Sequence, residues 1–370
     1  MTVGADGVAT RLYAVVPGRR GRAAELMLEG RSTMPVLTII GAGSMGSNHV
    51  RTARTVREWR DVVVVDLDRE RACTVATANG FGWTTSVEEG LAKADAAVVA
   101  VPSELHEDVM RQIIERGLPV LLEKPVAVEF AAAERIRRSA AEQGVQVLVG
   151  HIERFNSAVE ELMRHADSAV HIECRREGAG AGRPVGDVVS DLMVHDLDIV
   201  RALARSREGS DATINTRAAM WGNGGTEHCT ALLQTDAGMT VTLVASRIGQ
   251  FKRREIVLTQ PGCQVIADLV RQSVTIHRLQ RTEFVGNGRG SFRQQGTTEI
   301  PYLDSGEPLV REHRHLVDIV TNRKQPLVSL DDGVAAIRLV EQVRRAAGPA
   351  RPAAAAVDRM SPQTERPLAD

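Results

Sequence analysis

Lys124 stands in the triplet Glu123-Lys124-Pro125 of a 370-residue chain that carries only four lysines, Lys93, Lys124, Lys252 and Lys324, among 46 basic residues. Arginine is this chain's habitual cation, so a lysine at one chosen place points to chemistry that guanidinium does not offer. An ammonium can lower its pKa and donate to a single oxygen, whereas guanidinium stays charged. The competing readings are an ion pair with Glu123 or an ordinary surface lysine.

Asp191, His195 and Asp198 follow at i, i+4 and i+7, a spacing that lines one face of a helix. An acid one turn from an imidazole can set its tautomer and stabilise its protonated form, which suits a ring that takes a hydroxyl proton. His195 is therefore a general-base candidate, with a surface acid–histidine pair as the alternative. No third ligand from another element is identifiable, so no metal is expected.

Gly41-Ala42-Gly43-Ser44-Met45-Gly46 lies between an apolar run, Val36-Leu37-Thr38-Ile39-Ile40, and a helical stretch. Glycines there allow a tight turn and close backbone approach to a pyrophosphate, which rests on the free N–H groups of the helix N-terminus. Asp66 follows Gly46 by 20 residues and ends the next apolar run, where a carboxylate accepts from ribose hydroxyls. Asp66 and Asp68 would repel a 2′-phosphate, with Arg69 as the counterweight, so NAD is expected rather than NADP. His151, Arg154 and Asn156 follow the last such run and are candidate substrate contacts. His313 and His315 point to different sides of a helix and read as surface residues, and Lys252-Arg253-Arg254 reads as a solvated strand entry.

The elements that must position these groups change character midway. From Val36 to Gly150 near-continuous apolar runs (Val62–Val65, Ala96–Val101, Pro119–Leu122, Val145–Val149) alternate with helical stretches, the pattern of a parallel sheet covered on both faces. The expected fold is α/β, an N-terminal Rossmann doubly wound sheet. After a helix near Ser190–Ala204, alternating runs crowd together (Thr213–Met220, Cys229–Thr235, Thr240–Ala245, Glu255–Thr259, Cys263–Leu269, Val274–Leu279), implying an open, mostly antiparallel sheet. Helices near Glu312–Thr321 and Asp332–Ala346 close the chain. The expected division is a leader, disordered or over-long, at 1–33 with Met34 as a second start; a dinucleotide domain at 34–152; a substrate and oligomerisation domain at 153–346; and a disordered tail at 347–370.

Composition excludes several classes. Hydrophobic residues make up 43% and charged residues 25%, so the chain is not of the disordered type. The 46 basic residues balance 47 acidic ones and only 3% are aromatic, which argues against nucleic acid. Cys73, Cys174, Cys229 and Cys263 form no CxxC pair and read as free thiols. No run approaches the length of a membrane span or a signal peptide, so no membrane partner and a cytoplasmic location are expected.

In this order, the glycine turn, Val101-Pro102-Ser103-Glu104-Leu105-His106, Glu123-Lys124-Pro125, Gly150–Asn156 and Asp191–Asp198 resemble the Gfo/Idh/MocA oxidoreductases over roughly residues 34 to 346. The resemblance implies that Lys124 contacts the reacting hydroxyl and the nicotinamide region, and that Asp191 and His195 are the family's catalytic pair. It also places Ser44, Met45, Asp66, Val101, Pro102, Ser103, His106 and Glu123 along the cofactor. Ser157 stands where members commonly have Pro, which puts the local loop geometry in doubt. The chain looks most like the branch of UDP-N-acetylglucosamine 3-dehydrogenases and related aminosugar enzymes. That implies NAD-dependent oxidation of a secondary ring hydroxyl, at C3, of a sugar, aminosugar glycoside or nucleotide sugar. The ketone would then pass to a partner aminotransferase, in aminosugar or aminoglycoside antibiotic biosynthesis, and the enzyme would be a homodimer or homotetramer. An inositol dehydrogenase, an NAD-dependent glycosidase and a non-catalytic dinucleotide-binding regulator are the alternatives. Whether Lys124 or His195 is the formal base stays open.

Overall fold

A computed structural model describes residues 34–179, 186–208, 214–222, 226–285 and 291–350. The expected leader and residues 351–370 of the expected tail lie outside them. The first half runs β1 (Val36–Ile40), α1 (Ser44–Thr55), β2 (Asp61–Val65), α2 (Arg69–Asn79), β3 (Gly82–Thr84), α3 (Val87–Leu91), β4 (Ala96–Val99), α4 (His106–Glu115), β5 (Val120–Leu122), α5 (Phe130–Gln143) and β6 (Val147–Val149). These strands pair in parallel in the order β3-β2-β1-β4-β5-β6. That is the doubly wound Rossmann order, in which ligands bind beyond the carboxyl ends of the strands where the order reverses, between β1 and β4. β1, β4, β5 and β6 are buried at every position, which explains their unbroken apolar runs.

The second half adds α6 (Ser157–Met163), β7 (His171–Ala179), a π-helical turn (Val189–Met193), α7 (Val194–Glu208), β8 (Ile214–Trp221), β9 (His228–Thr235), β10 (Thr240–Ser246), β11 (Ile248–Gln260), β12 (Cys263–Asp268), β13 (Ser273–Val285), β14 (Ser291–Glu299), α8 (Pro308–Asn322) and α9 (Leu330–Ala347). Its eight strands lie in the order β14-β13-β12-β11-β7-β10-β9-β8. All neighbours are antiparallel except β7 and β10, which run parallel.

Two apolar cores follow the two sheets, but they do not divide the chain at one point. Leu316, Ile319, Val328 and Val334 of the C-terminal segment pack into the first core, whereas Leu339, Val340 and Val343, farther along α9, pack into the second. The expected unit 153–346 is therefore threaded back onto the Rossmann sheet. Val149 N–H donates to Val328 O at 3.0 Å along β6, and Gly333 lets α9 come close, since a Cβ there would lie 2.6 Å from Val126 and 2.9 Å from Val149. The cysteines are free thiols. Among the described residues no helix is long and apolar enough to cross a membrane.

Candidate active site

The β1–α1 turn carries the first set of candidate residues. Gly41 has φ +99°, and a Cβ on Gly46 would lie 1.8 Å from Gly41 O, so both positions require glycine. Gly43 differs, because a Cβ there would meet nothing within 4 Å. Gly43 caps α1 without any side-chain acceptor, and no acidic residue stands in the first turn. The first-turn N–H groups thus have no side-chain cap at the positive end of the helix dipole, where an anion is stabilised. Ser44 and Met45 are exposed beside them.

Asp66 is tied directly to this turn. Its Oδ2 accepts from the Ala42 N–H at 2.7 Å and its Oδ1 from the Asp68 N–H at 2.9 Å. Arg71 adds a fork, Nε to Oδ2 at 3.0 Å and Nη2 to Oδ1 at 2.8 Å. Burial opposes ionisation of Asp66, but these donors outweigh it and hold the carboxyl below its usual range. The cation facing Asp66 is therefore Arg71. Arg69, the expected counterweight, lies over the Trp83 ring at 5.3 Å instead.

Val101, Pro102 and Ser103 follow β4 at the same sheet edge, leading into a short 3-10 turn at Ser103–Leu105. His106 has both ring nitrogens engaged within the protein. It is buried, with Nε2 3.0 Å from Val101 O and Nδ1 3.2 Å from Val126 O, so it staples the loop after β4 to the loop after β5. That leaves its ring a supporting role at the edge where the cofactor is expected.

The Glu123-Lys124-Pro125 triplet ends β5 and crosses to the second half of the molecule. Lys124 Nζ donates to Asp191 O at 3.1 Å and lies 3.7 Å from Asp191 Oδ1, with 19% of its side chain exposed. Burial pushes the ammonium below the usual lysine range. Asp191 and Glu123 pull it back up, and Arg176 works against them.

The expected Asp191–His195 pair does not form. The turn at Val189–Met193 is π-helical, and its extra residue rotates Asp191 out of the i, i+4 register with His195. The Asp191 carboxylate instead accepts from Arg247 Nη2 at 2.8 Å and faces Lys124. Asp187 anchors the turn, accepting from Val189 N–H, Ser190 and Arg344. His195 is half-buried, its ring 6.4 Å from that of His151 and edge-on to it. Burial, reinforced by Lys124, Arg176, His151 and Arg254, holds its pKa well below the usual histidine value. His195 is therefore a neutral imidazole in a cationic setting, contrary to the expectation of an acid-supported imidazolium.

Four buried polar atoms around these rings have no hydrogen-bond partner: Nδ1 of His151, Nη1 of Arg154, Nδ1 of His195 and Oδ1 of Asp198. Arg154 Nη1 is only within ion-pair distance of Asp198, 3.5 Å from Oδ2. Buried polar groups are almost always paired, so this cluster is suited to a ligand rich in hydroxyls. Asn156 is not part of it. Its amide donates to Glu153 and to Leu269 O, and its oxygen caps α6 by accepting from Ala158 N–H at 3.0 Å, so the expected substrate contact is corrected.

Behind the cleft, Arg176 of β7 donates to Asp196 at 2.7 and 3.0 Å and to Glu153 at 2.8 Å, and Arg254 approaches Glu153 at 3.3 Å. This buried network fixes the first turn of α7, and hence His195. Arg254 is thereby corrected from a solvated strand entry to an inward ion pair in mid-β11. His313 and His315, expected at the surface, are both buried. No local pattern marks Arg71, Arg176 or Arg247, each of which finds its acid through the fold. No group of histidine, cysteine and acidic side chains suited to a metal occurs among the described residues.

Residues 37–151 match the family described as an oxidoreductase family with an NAD-binding Rossmann fold, Gfo/Idh/MocA. An inositol 2-dehydrogenase of Renibacterium salmoninarum is 28% identical over 176 residues, 45% of this chain and 53% of the relative. A UDP-N-acetylglucosamine 3-dehydrogenase of Acidithiobacillus ferrooxidans is 28% identical over 217 residues, 57% of this chain and 66% of the relative. The matched part thus spans between about half and two thirds of these curated relatives. Among solved structures, UDP-N-acetylglucosamine 3-dehydrogenase GnnA from Acidithiobacillus ferrooxidans superposes with a TM-score of 0.75 at 22% identity, covering 85% of this chain and 97% of that one. GenD2 from gentamicin A biosynthesis, in complex with NAD, gives 0.70 at 21% identity, covering 90% and 97%. These last two likenesses are of fold.

Proposed function

We propose that this chain, whose residues 37–151 match the Gfo/Idh/MocA oxidoreductase family, is an NAD-dependent dehydrogenase oxidising a secondary ring hydroxyl of a sugar, aminosugar glycoside or nucleotide sugar to a ketone. The observation that supports this reading is that the uncapped α1 turn and Lys124 stand at the same carboxyl edge of the parallel sheet, with His195 near enough to Lys124 to feel its charge. The residues fit a dinucleotide: Gly43 leaves room for a pyrophosphate, the first-turn amides donate to it, and Asp66 offers a carboxylate for the ribose. When bound, the nicotinamide supplies the hydride acceptor.

The protein's own part is proton handling and orientation. Lys124 donates to the reacting oxygen and stabilises the negative charge that grows as its O–H bond breaks. His195, neutral and carrying a bare ring nitrogen, takes that proton. The cations around it disfavour the imidazolium, so the proton passes on to bulk water. Asp191, held by Arg247, fixes the lysine. His151, Arg154 and Asp198 hold the remaining hydroxyls through their unpartnered atoms.

An aminosugar substrate oxidised at C3, with an aminotransferase acting next, is the finer form of the proposal, supported by the names of the relatives. Inositols are its nearest competitors. The test is nicotinamide reduction across UDP-sugars, inositols and aminoglycoside intermediates, with 2-oxoglutarate present in parallel to recycle retained NADH. Turnover on one class that is lost in Lys124→Ala is expected, and turnover unchanged in both Lys124→Ala and His195→Ala refutes the mechanism.

A further inference from the structure

A chain of buried ionisable side chains leaves the cleft from the glutamate next to Lys124 and ends on α8, 190 positions later in the sequence. Glu123 Oε1 accepts from His49 Nε2 at 2.8 Å, and His49 Nδ1 lies 2.9 Å from His313 Nε2. Glu123 is 6% exposed, and both histidines are fully enclosed. The other Glu123 oxygen accepts from the Lys124 N–H at 3.2 Å.

The donors can be assigned in order. A carboxylate has only lone pairs, so the His49 proton sits on Nε2. With one proton on each ring, His49 Nδ1 is bare and His313 Nε2 must donate to it, which leaves His313 Nδ1 bare. His313 Nδ1 is the atom of that ring without a partner. Burial, with His49 adding to it, holds His313 well below the usual histidine value, in keeping with a single ring proton.

Every element around Glu123 presents a group that feels its charge. Lys124 follows it on its own segment and His49 lies on α1; His106 comes from α4 and His151 from the end of β6. Glu312 of α8 is fully buried, and neither of its oxygens has a partner. Burial first and then Glu123 raise its pKa well above the carboxylate range. Gly150 leaves the space that the Glu123 carboxyl fills, since a Cβ there would stand 3.0 Å from it. His49 is thus the only side chain in hydrogen-bond contact with Glu123 among the described residues, and His313 orients His49.

We propose that His49 and His313 are positioning residues for Lys124: they hold the Glu123 side chain in place beside the lysine. The proposal rests on Lys124 being the acting group of the dehydrogenase reading. Without the His49 donor, the Glu123 side chain keeps only its bond from the Lys124 N–H among the described residues, so its carboxyl group is free to turn away from the lysine. Lys124 then loses the opposite charge that favours its protonated form.

The scarcity of lysine makes this measurable without turnover. Full-length protein is acylated briefly with acetic anhydride across a pH series, and each lysine is followed by peptide mass spectrometry, with Lys93, Lys252 and Lys324 as internal controls. In His49→Leu and Glu123→Gln, Lys124 labelling is expected to move to lower pH and to become at least ~3-fold faster at fixed neutral pH. His313→Leu gives the same direction with a smaller rise. His49→Gln, which keeps an N–H donor, stays near the parent. Unchanged Lys124 labelling in His49→Leu and His313→Leu overturns the relay, as does an equal shift in His49→Gln. If His49→Leu does not fold, His313→Leu and Glu123→Gln decide. Failure of the dehydrogenase reading shows separately, as absence of nicotinamide reduction in the parent protein whatever the labelling does.

Discussion

Gly43→Ala and Gly46→Ala replace the same atom in the same turn and are expected to do different things. At Gly43 the backbone has φ −69° and ψ −162°, open to any residue, and the new methyl meets no protein atom within 4 Å. Stability therefore changes only through the weaker N-cap, a loss of about 1 kcal/mol, offset by about 0.4–1 kcal/mol from the stiffer unfolded chain. The net effect is under about 1 kcal/mol, or a Tm change of about 2–4 °C at most. The methyl does enter the space above the first-turn amides, so NAD affinity should fall at least ~10-fold, about 1.4 kcal/mol. At Gly46 the methyl would stand 1.8 Å from Gly41 O, a backbone atom that cannot turn aside. That is overpacking, costing about 1–3 kcal/mol or more, and the turn itself must shift. Thermal melts with and without NAD, together with a fluorescence titration, separate the two. A Gly43→Ala protein that binds NAD as tightly as the parent would refute the cradle.

Lys124→Ala should lower kcat by about 10²–10⁴-fold while the dissociation constant for NAD, measured directly, stays within about 3-fold. Arg247→Ala removes the donor that holds Asp191 at 2.8 Å; kcat/KM is expected to drop about 10-fold, with the melting temperature nearly unchanged, because a half-exposed carboxylate tolerates water. Arg71→Ala leaves Asp66 uncompensated toward a 2′-phosphate, so discrimination against NADP, read as a ratio of dissociation constants, should rise. Stability should fall as pH drops below about 6.5, because His106, His151, His195, His313 and His315 have folded pKa values lowered by burial. The unfolded chain takes up those protons first, at up to about 1.4 kcal/mol per pH unit for each ring. Asp196 and Glu312, whose folded pKa values are raised by burial, oppose the trend. A melting temperature that holds constant between pH 7 and 5.5 would count against the buried neutral histidines.

The Rossmann half was legible because β1, β4, β5 and β6 are buried on both faces and so read as continuous apolar runs. β7 was hidden. Its inward face reads Ile172, Cys174, Arg176, and a buried arginine breaks the alternation that announces a strand. It is affordable there only because Asp196 and Glu153 close on it from other elements. β14 was hidden for the opposite reason, being a polar edge strand. In the site, the glycine turn, Asp66 and Lys124 were readable from local spacing, which a strand-to-helix turn and a strand end impose. The Asp191–His195 relation was misread because helical spacing presumes an α-helix, and the π-helical turn at Val189–Met193 moves the acid to Lys124 and Arg247. His49 and His313 are 264 residues apart, so no local pattern could join them.

The most direct measurement is nicotinamide reduction by the purified protein on its best sugar substrate, run beside Lys124→Ala with NAD binding measured for both. The account predicts that turnover collapses in the variant while NAD binding persists. Equal turnover in the two proteins, or tight NAD binding with no reduction on any sugar or inositol, would contradict it.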